Sequence, residues 1–363
     1  MTLIILIILL VVGVWAFMQQ DQFGKLPTGK RLERIQKSPN YKDGQFKNLN
    51  PTPQLSENSS LPKALWKFVF DKVENGTPKK PFHFVKTEIN KIPSNEDVFI
   101  WFGHSSYYIQ TDGKKILVDP VFSGAASPVK STTRAYAGSD LYTTDDFPEI
   151  DYLVITHDHW DHLDYETVKK LQPKVKIVVT GLGTGAHLEY WGFPESKIVE
   201  LDWFEKKNFN DKFVFNAEPA RHFSGRGFKR DQSLWMSFVV QTPTKTIYIG
   251  GDSGYDTHFK KIGDKYQGID YAILENGQYN EDWRYIHMLP GEQDKAMLDL
   301  QAKNLIPVHN SKFKLSKHSW KEPMEKVVDN KKGNYGLLMP QIGEKLSLST
   351  DAKTSNSWWK TLE

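Results

Sequence analysis

Thr156 to Asp164 reads THDHWDHLD, and this stretch decides the fold. It places His157, His159, Asp161 and His162 in an HxHxDH pattern directly after an apolar run, Tyr152 to Ile155. That run reads as a buried strand. Asp164 is a good N-cap for the helical spacing of Tyr165 to Leu171. The motif therefore lies on a loop between a strand end and a helix start. Three imidazoles and a carboxylate this close together are metal-ligand chemistry, and more donors than one ion with an open position would use. A polar loop that merely happens to be His-rich is the bland alternative. With 11 His in 363 residues, chance would not supply that density.

Outward from the motif, other apolar runs also end in donors. Phe213 to Phe215 leads to Pro219-Ala220-Arg221-His222, Ile247 to Ile249 to Gly250-Gly251-Asp252, and Leu305 to Val308 to His309. If these strand ends share one rim, His157, His159, Asp161, His162, His222, Asp252 and His309 converge there. Five imidazoles and two carboxylates suit two divalent ions of borderline hardness such as Zn2+, with other divalent metals also compatible. Asp252 is the natural bridge, because a carboxylate can span two ions and the glycines beside it let backbone approach closely.

From Asp97 onward the texture is short β-like runs, with Thr111-Asp112-Gly113 as a hairpin turn, and helical segments such as Gln293 to Lys303 between some of them. This predicts one α/β or α+β domain over residues 96–350. Residues 351–363 form a tail. Residues 20–95, punctuated by proline, read as an N-terminal extension rather than core, with one helical patch at Leu61, Leu65, Phe68, Val69 and Val73. Leu3 to Met18 is an unbroken apolar run. About 18 uncharged residues span roughly 27 Å, so residues 1–19 are expected to form an uncleaved single-pass transmembrane anchor. Lys25, Lys30, Arg31, Arg34 and Lys37 follow it, which favours a cytoplasmic catalytic domain.

Composition limits the alternatives. The absence of cysteine excludes disulfides, Cys-based zinc sites, a thiol nucleophile and Cys lipidation. A net charge of +3, spread along the chain, argues against nucleic acid as a partner.

HxHxDH, then a His, an Asp after Gly-Gly, and a His after a strand, resemble the metallo-β-lactamase-fold superfamily over roughly Val98 to Leu348. Trp101-Phe102-Gly103-His104-Ser105-Ser106, Leu117-Val118-Asp119-Pro120 and Pro219 to Ser224 resemble the branch containing N-acylphosphatidylethanolamine-hydrolysing phospholipase D. The resemblance implies an αββα four-layer sandwich. It implies that His157, His159 and His222 hold one zinc and Asp161, His162 and His309 a second. Asp252 and a hydroxide would bridge the two ions. It implies a substrate-contacting role for His287, and puts Trp160 at an aromatic position of the motif. The activity so implied is hydrolysis of a phosphodiester in a phospholipid-type substrate at a membrane, with Asp161 also orienting the attacking hydroxide. Hydrolysis of a lactone, amide or phosphonate ester on the same site is the alternative; a non-catalytic metal-binding protein is the third, opposed by the complete ligand set.

Other residues carry two readings. Asp119 either accepts a hydrogen bond from a ligand imidazole or forms a turn before Pro120. His104 is either at the metal rim or a satisfied core histidine. Arg226, and less so Arg230, either neutralises a phosphate or is solvated. His83, His187, His258 and His318 read as structural or solvent-facing. Trp358 and Trp359 either close a core or dock at a membrane interface.

Overall fold

The computed structural model describes the chain except residues 58, 61, 63–65, 67–69, 211, 350–353, 355, 356 and 363. Helix α1 (Thr2–Met18) and α2 (Gly29–Gln36) precede a small hairpin, β1 (Tyr41–Lys42) with β2 (Gln45–Phe46). Most of the helical patch expected near residue 65 lies outside the described residues.

Two seven-stranded sheets follow. One contains β3 (Val98–Trp101), β4 (Tyr107–Thr111), β5 (Lys114–Val118), β6 (Ile150–Ile155), β7 (Val175–Gly181) and β8 (Ile198–Leu201). The other contains β9 (Lys206–Asn208), β10 (Val214–Glu218), β11 (Ser237–Gln241), β12 (Thr246–Ile249), β13 (Tyr271–Glu275), β14 (Asn304–Val308) and β15 (Gly336–Leu337). The returning strand β16 (Lys345–Ser347) completes the first sheet beside β3. Both sheets are mixed: β5 to β8 run parallel, as do β12 to β15, and the remaining pairs are antiparallel.

Period-two alternation sorts the first sheet's side chains. Phe99, Trp101, Ile109, Ile116, Val118, Tyr152 and Val154 face the second sheet in the main core. Val98, Ile100, Leu117, Leu153 and Ile155 face outward and pack with Val168 and Leu171 of α3 (Tyr165–Leu171) and Leu188 of α4 (Gly185–Tyr190). On the second sheet, α5 (His258–Tyr266) and α6 (Glu292–Leu300) add Phe259, Ile262, Met297 and Leu300 to the core. The last helix, α7 (Glu322–Asn330), buries Met324 and Val327. The β4–β5 turn is a two-residue one, with φ +48° at Asp112 and +74° at Gly113, the conformation that an Asp-Gly pair favours in a hairpin.

Two expectations change. No described helix is long and apolar enough to cross a membrane. The apolar run closes after 17 helical residues, about 26 Å against a hydrocarbon core of about 30 Å. The transmembrane anchor is therefore withdrawn, and the cytoplasmic placement inferred from its flank with it. Two of the flanking cations have acidic partners: Arg31 pairs with Glu189 at 2.6 Å and Glu200 at 2.7 Å, and Arg34 with Glu205 at 2.8 Å. The extension also contributes to the core, burying Ile35, Phe46 and Phe82. Trp358 and Trp359 are buried in that core as well.

Candidate metal centre

The neighbouring parallel strands β5 and β6 end at the same edge, and each hands a functional residue to it. Asp119 follows β5; its carboxylate accepts from the Thr156 amide at 2.9 Å and from the Thr156 hydroxyl at 2.6 Å. It therefore grips the first residue of the motif loop. In the second sheet β10, β12 and β14 point one way, so His222, Asp252 and His309 emerge at one rim. Strand carboxyl ends meeting in this manner are where α/β sheets place their ligands.

All seven predicted donors come together. His157, His159 and His222 offer ring nitrogens within 4.8 Å of one another, and so do the donor atoms of Asp161, His162 and His309 together with His104. Asp252 lies between the sets, 3.9 Å from His157 Nε2, 3.8 Å from His222 Nε2, 3.2 Å from His162 Nε2 and 3.1 Å from His309 Nδ1.

The hydrogen positions at the centre leave room for cations. The Thr156 hydroxyl gives its proton to Asp119, so His157 Nδ1, 3.0 Å from it, must be the donor, which leaves a lone pair on Nε2. His222 Nδ1–H donates to the Ile286 carbonyl at 2.8 Å, which leaves a lone pair on its Nε2 too. Both lone pairs face His159 Nδ1, at 2.9 Å and 3.2 Å. His162 donates from Nδ1 to Asp119 at 2.8 Å, which turns its Nε2 toward Asp252 at 3.2 Å, and the buried His159 Nε2 has no hydrogen-bond partner. Converging lone pairs and an orphaned buried donor atom cost free energy unless a cation completes them. The residues fit divalent metal.

Electrostatics agree with that reading. Burial pushes His157, His222 and His309 well below the usual imidazole range, and His104 and His159 down to about 4. Neutral imidazole is the form that binds metal. His162 goes the other way: burial opposes its charge, but Asp252 and Asp161, with the hydrogen bond to Asp119, outweigh burial. Burial raises Asp252 to about 6, partly offset by His162.

A cleft of about 320 Å3 exposes the donors to solvent, lined by His159, Asp161, Asp252, Phe223, Trp283 and His287 among others. Asp161 is the more open carboxylate, its side chain 14% exposed against 2% for Asp252. His104 is fully buried, and its Nε2 lies 2.9 Å from the Asp161 carboxylate. His287 stacks near His222 and His309, with ring centroids 5.0 and 5.2 Å away.

Arg226 is buried rather than solvated. Its guanidinium donates to the carbonyls of Asp158 at 2.9 Å, Leu163 at 2.7 Å and Gln22 at 2.9 Å, and lies 3.9 Å from the Trp160 ring centroid. These acceptors engage it, so the expectation that it neutralises a phosphate gives way to bracing of the metal loop.

Three contributors escaped sequence reasoning. Glu275 ends β13 and binds His287 Nδ1 at 2.6 Å; the same strand-end rule that picked out Asp252 and His309 points to it. Asp158, inside the quoted motif, takes hydrogen bonds from Ser233 Oγ at 2.7 Å and Gly225 N at 2.6 Å. Asn48 clamps both backbone polar groups of His222, at 2.7 and 3.1 Å, and only its position in an asparagine-bearing extension hinted at this.

Comparison with known proteins agrees with this geometry. Residues 114–310 match the family described as Beta-lactamase superfamily domain. An uncharacterized Mycobacterium tuberculosis protein, Rv0906, is 34% identical over 331 residues, covering 90% of this chain and 88% of its own. The N-acyl-phosphatidylethanolamine-hydrolyzing phospholipase D 1 of Caenorhabditis elegans is 30% identical over 246 residues, covering 62% of this chain and 67% of its own. Among solved structures, Igni18, a metallo hydrolase from Ignicoccus hospitalis, shares the fold with a TM-score of 0.54 at 20% identity, over 71% of this chain and 100% of that one. The chain belongs to the metallo-β-lactamase superfamily and is one of its metal-dependent hydrolases.

Proposed function

We propose that the protein is a dinuclear-metal phosphodiesterase acting on a phospholipid-type substrate, with Zn2+ as the favoured ion. The observation that carries the reading is the pair of donor sets joined through Asp252. His157, His159 and His222 would hold one ion, Asp161, His162 and His309 the other, with Asp252 shared between them. Bound there, two divalent cations would supply Lewis acidity and lower the pKa of water toward neutrality.

The chain's own residues do the rest. Asp161, fixed by His104 and open to the cleft, accepts a hydrogen bond from the attacking water and so aims it. Asp119 holds His162 in the tautomer whose Nε2 faces the centre. His287, anchored by Glu275, contacts a non-bridging oxygen of the substrate from the cleft wall. Trp160, stacked on Arg226, forms a rigid aromatic wall beside His159 and Asp161. The relative that hydrolyses N-acylphosphatidylethanolamine supports a lipid diester as the substrate class. One observation favours the rival reading, a lactone, amide or phosphonate ester: Arg226, the expected anion receptor, is engaged by carbonyls.

Metal analysis of purified protein should find about two divalent ions per chain. Asp252→Ala should lose metal and hydrolysis together. Bis-p-nitrophenyl phosphate and N-acylphosphatidylethanolamine should be cleaved in preference to lactones. Cleavage of lactones only would overturn the phosphodiester assignment, and full activity after complete metal removal would overturn the mechanism.

A further inference from the structure

A larger cleft, about 710 Å3, lies between α1 and the loop of residues 225–232. Leu10, Val11, Val14, Trp15 and Met18 form one wall, and Phe228 faces them. None of the α1 residues is buried, and Trp15 remains 64% exposed. Apolar surface of this extent, concentrated on one helix, marks a binding surface. The volume falls within the roughly 300–1,000 Å3 of small-molecule sites.

Two features indicate what occupies it. The first is continuity. Met18, Arg226, Gly227 and Phe228 also line a neighbouring cavity that contains His159, Trp160 and Asp161. Gly227 leaves room for Met18 at the junction, since a Cβ there would lie 2.9 Å from Met18 Cε. The apolar cleft thus adjoins the cavity at the metal centre. The second is charge. Lys25 and Lys229 edge the cleft, and Arg230 sits in the connecting cavity, 5.4 Å from the Phe223 ring centroid. The acid on the cleft lining, Asp158, is buried and engaged by Ser233, Gly225 and His187. Arg230 shares its cavity with His159 and Asp161, and apolar side chains line the cleft beside it.

The cleft is also braced. Gly24, at φ +71°, packs so closely that a Cβ would lie 2.1 Å from His187 Nδ1. The Lys25 amide donates to that nitrogen at 3.0 Å, and Trp191 Nε1 donates to the Asp21 carbonyl at 2.8 Å. These contacts hold the base of α1 against the domain.

We propose that this cleft holds the aliphatic chain of an anionic amphiphile whose phosphodiester reaches the metal centre. The identity of the headgroup rests on the phosphodiesterase reading; chain binding does not.

Calorimetric titration of the full chain with dodecanoate and butanoate, below micelle-forming concentrations, tests it. Affinity should rise roughly fourfold per added methylene. Val14→Asp should weaken dodecanoate binding by roughly tenfold or more, because it puts a charge against the chain. Val12→Asp, outside the cleft lining, should leave it as in wild type. Equally weak binding of both acids, or the same loss in both variants, overturns the proposal. So does a stable dimer that Val14→Asp dissociates while dodecanoate fails to bind, which would assign α1 to a second copy of the chain. Chain-length-dependent binding without cleavage of any phosphodiester would leave the cleft standing and remove the phosphodiesterase reading.

Discussion

Asp119 ties the motif loop to one of the ligands. One carboxylate receives the Thr156 amide, the Thr156 hydroxyl and His162 Nδ1, and its backbone sits at φ +41°. Asparagine tolerates that conformation but offers only one carbonyl oxygen. Asp119→Asn should therefore leave the fold intact and weaken metal binding by roughly ten- to a hundredfold, measured by competition with a chromogenic chelator. Unchanged affinity would show that Asp119 serves only the turn. Protonation gives a second test at this scale. His104, His157, His159, His222, His287 and His309 all titrate lower when folded, chiefly through burial. The unfolded chain takes up those protons as pH falls through about 6.5, while the folded one does not. His162, Asp252 and Glu275 are raised instead, so their stabilisation is present at low pH and is lost as pH rises through their folded values. The lowered groups are the more numerous. Chelator-treated protein should thus melt at lower temperature at about pH 5.5 than at about pH 7.5; the opposite order in a thermal scan would show that the raised groups dominate. The donors were legible because each follows an apolar run. The role of Arg226 was not, because its acceptors are backbone carbonyls distant in sequence, which no residue type announces.

Elements were legible in kind more than in extent. The Asp-Gly hairpin and the strand before the motif stand where periodicity places them. Helix α1 forms over the apolar run, but the expected span overstated it: the helix closes after 17 residues, about 26 Å, short of a hydrocarbon core of about 30 Å. The segment after α1 was invisible in sequence, since its importance lies in pairing across the fold. Asp21 meets Tyr190 at 2.8 Å, and Phe23 packs edge-on to Trp160 with centroids 5.1 Å apart. Gly24→Ala should loosen this segment by about 1–3 kcal/mol, through both its positive φ and the clash with His187. Urea denaturation would register the loss, and limited proteolysis should cut near residue 24 faster than in wild type. Equal cutting rates would mean that the segment is not held by these contacts.

At the scale of the molecule, the two sheets and their flanking helices follow from alternating strands and short helices, and the αββα arrangement was expected from the motif resemblance. The place of residues 20–95 was not, because proline-rich sequence with scattered aromatics gives no period to read. Metal should act on the whole fold, since its candidate site draws donors from both sheets. Divalent ion at about a hundredfold over its Kd should add about 2.7 kcal/mol of stability. That is a rise of several degrees in Tm over chelated protein, and no rise would place the ions outside the cooperative unit.

The Asn48 clamp on His222 has a consequence for how the molecule is made. Its partners are 174 residues apart, and Ser105 meets His309 across 204. A chain still emerging from the ribosome has the HxHxDH loop long before it has His309, so it can offer one donor set but not the pair. Such non-local closure is slow, because distant segments must meet before their contacts repay the lost entropy. The candidate cage would therefore close late, and metal bound there would act as a latch on finished protein, not as a seed for folding.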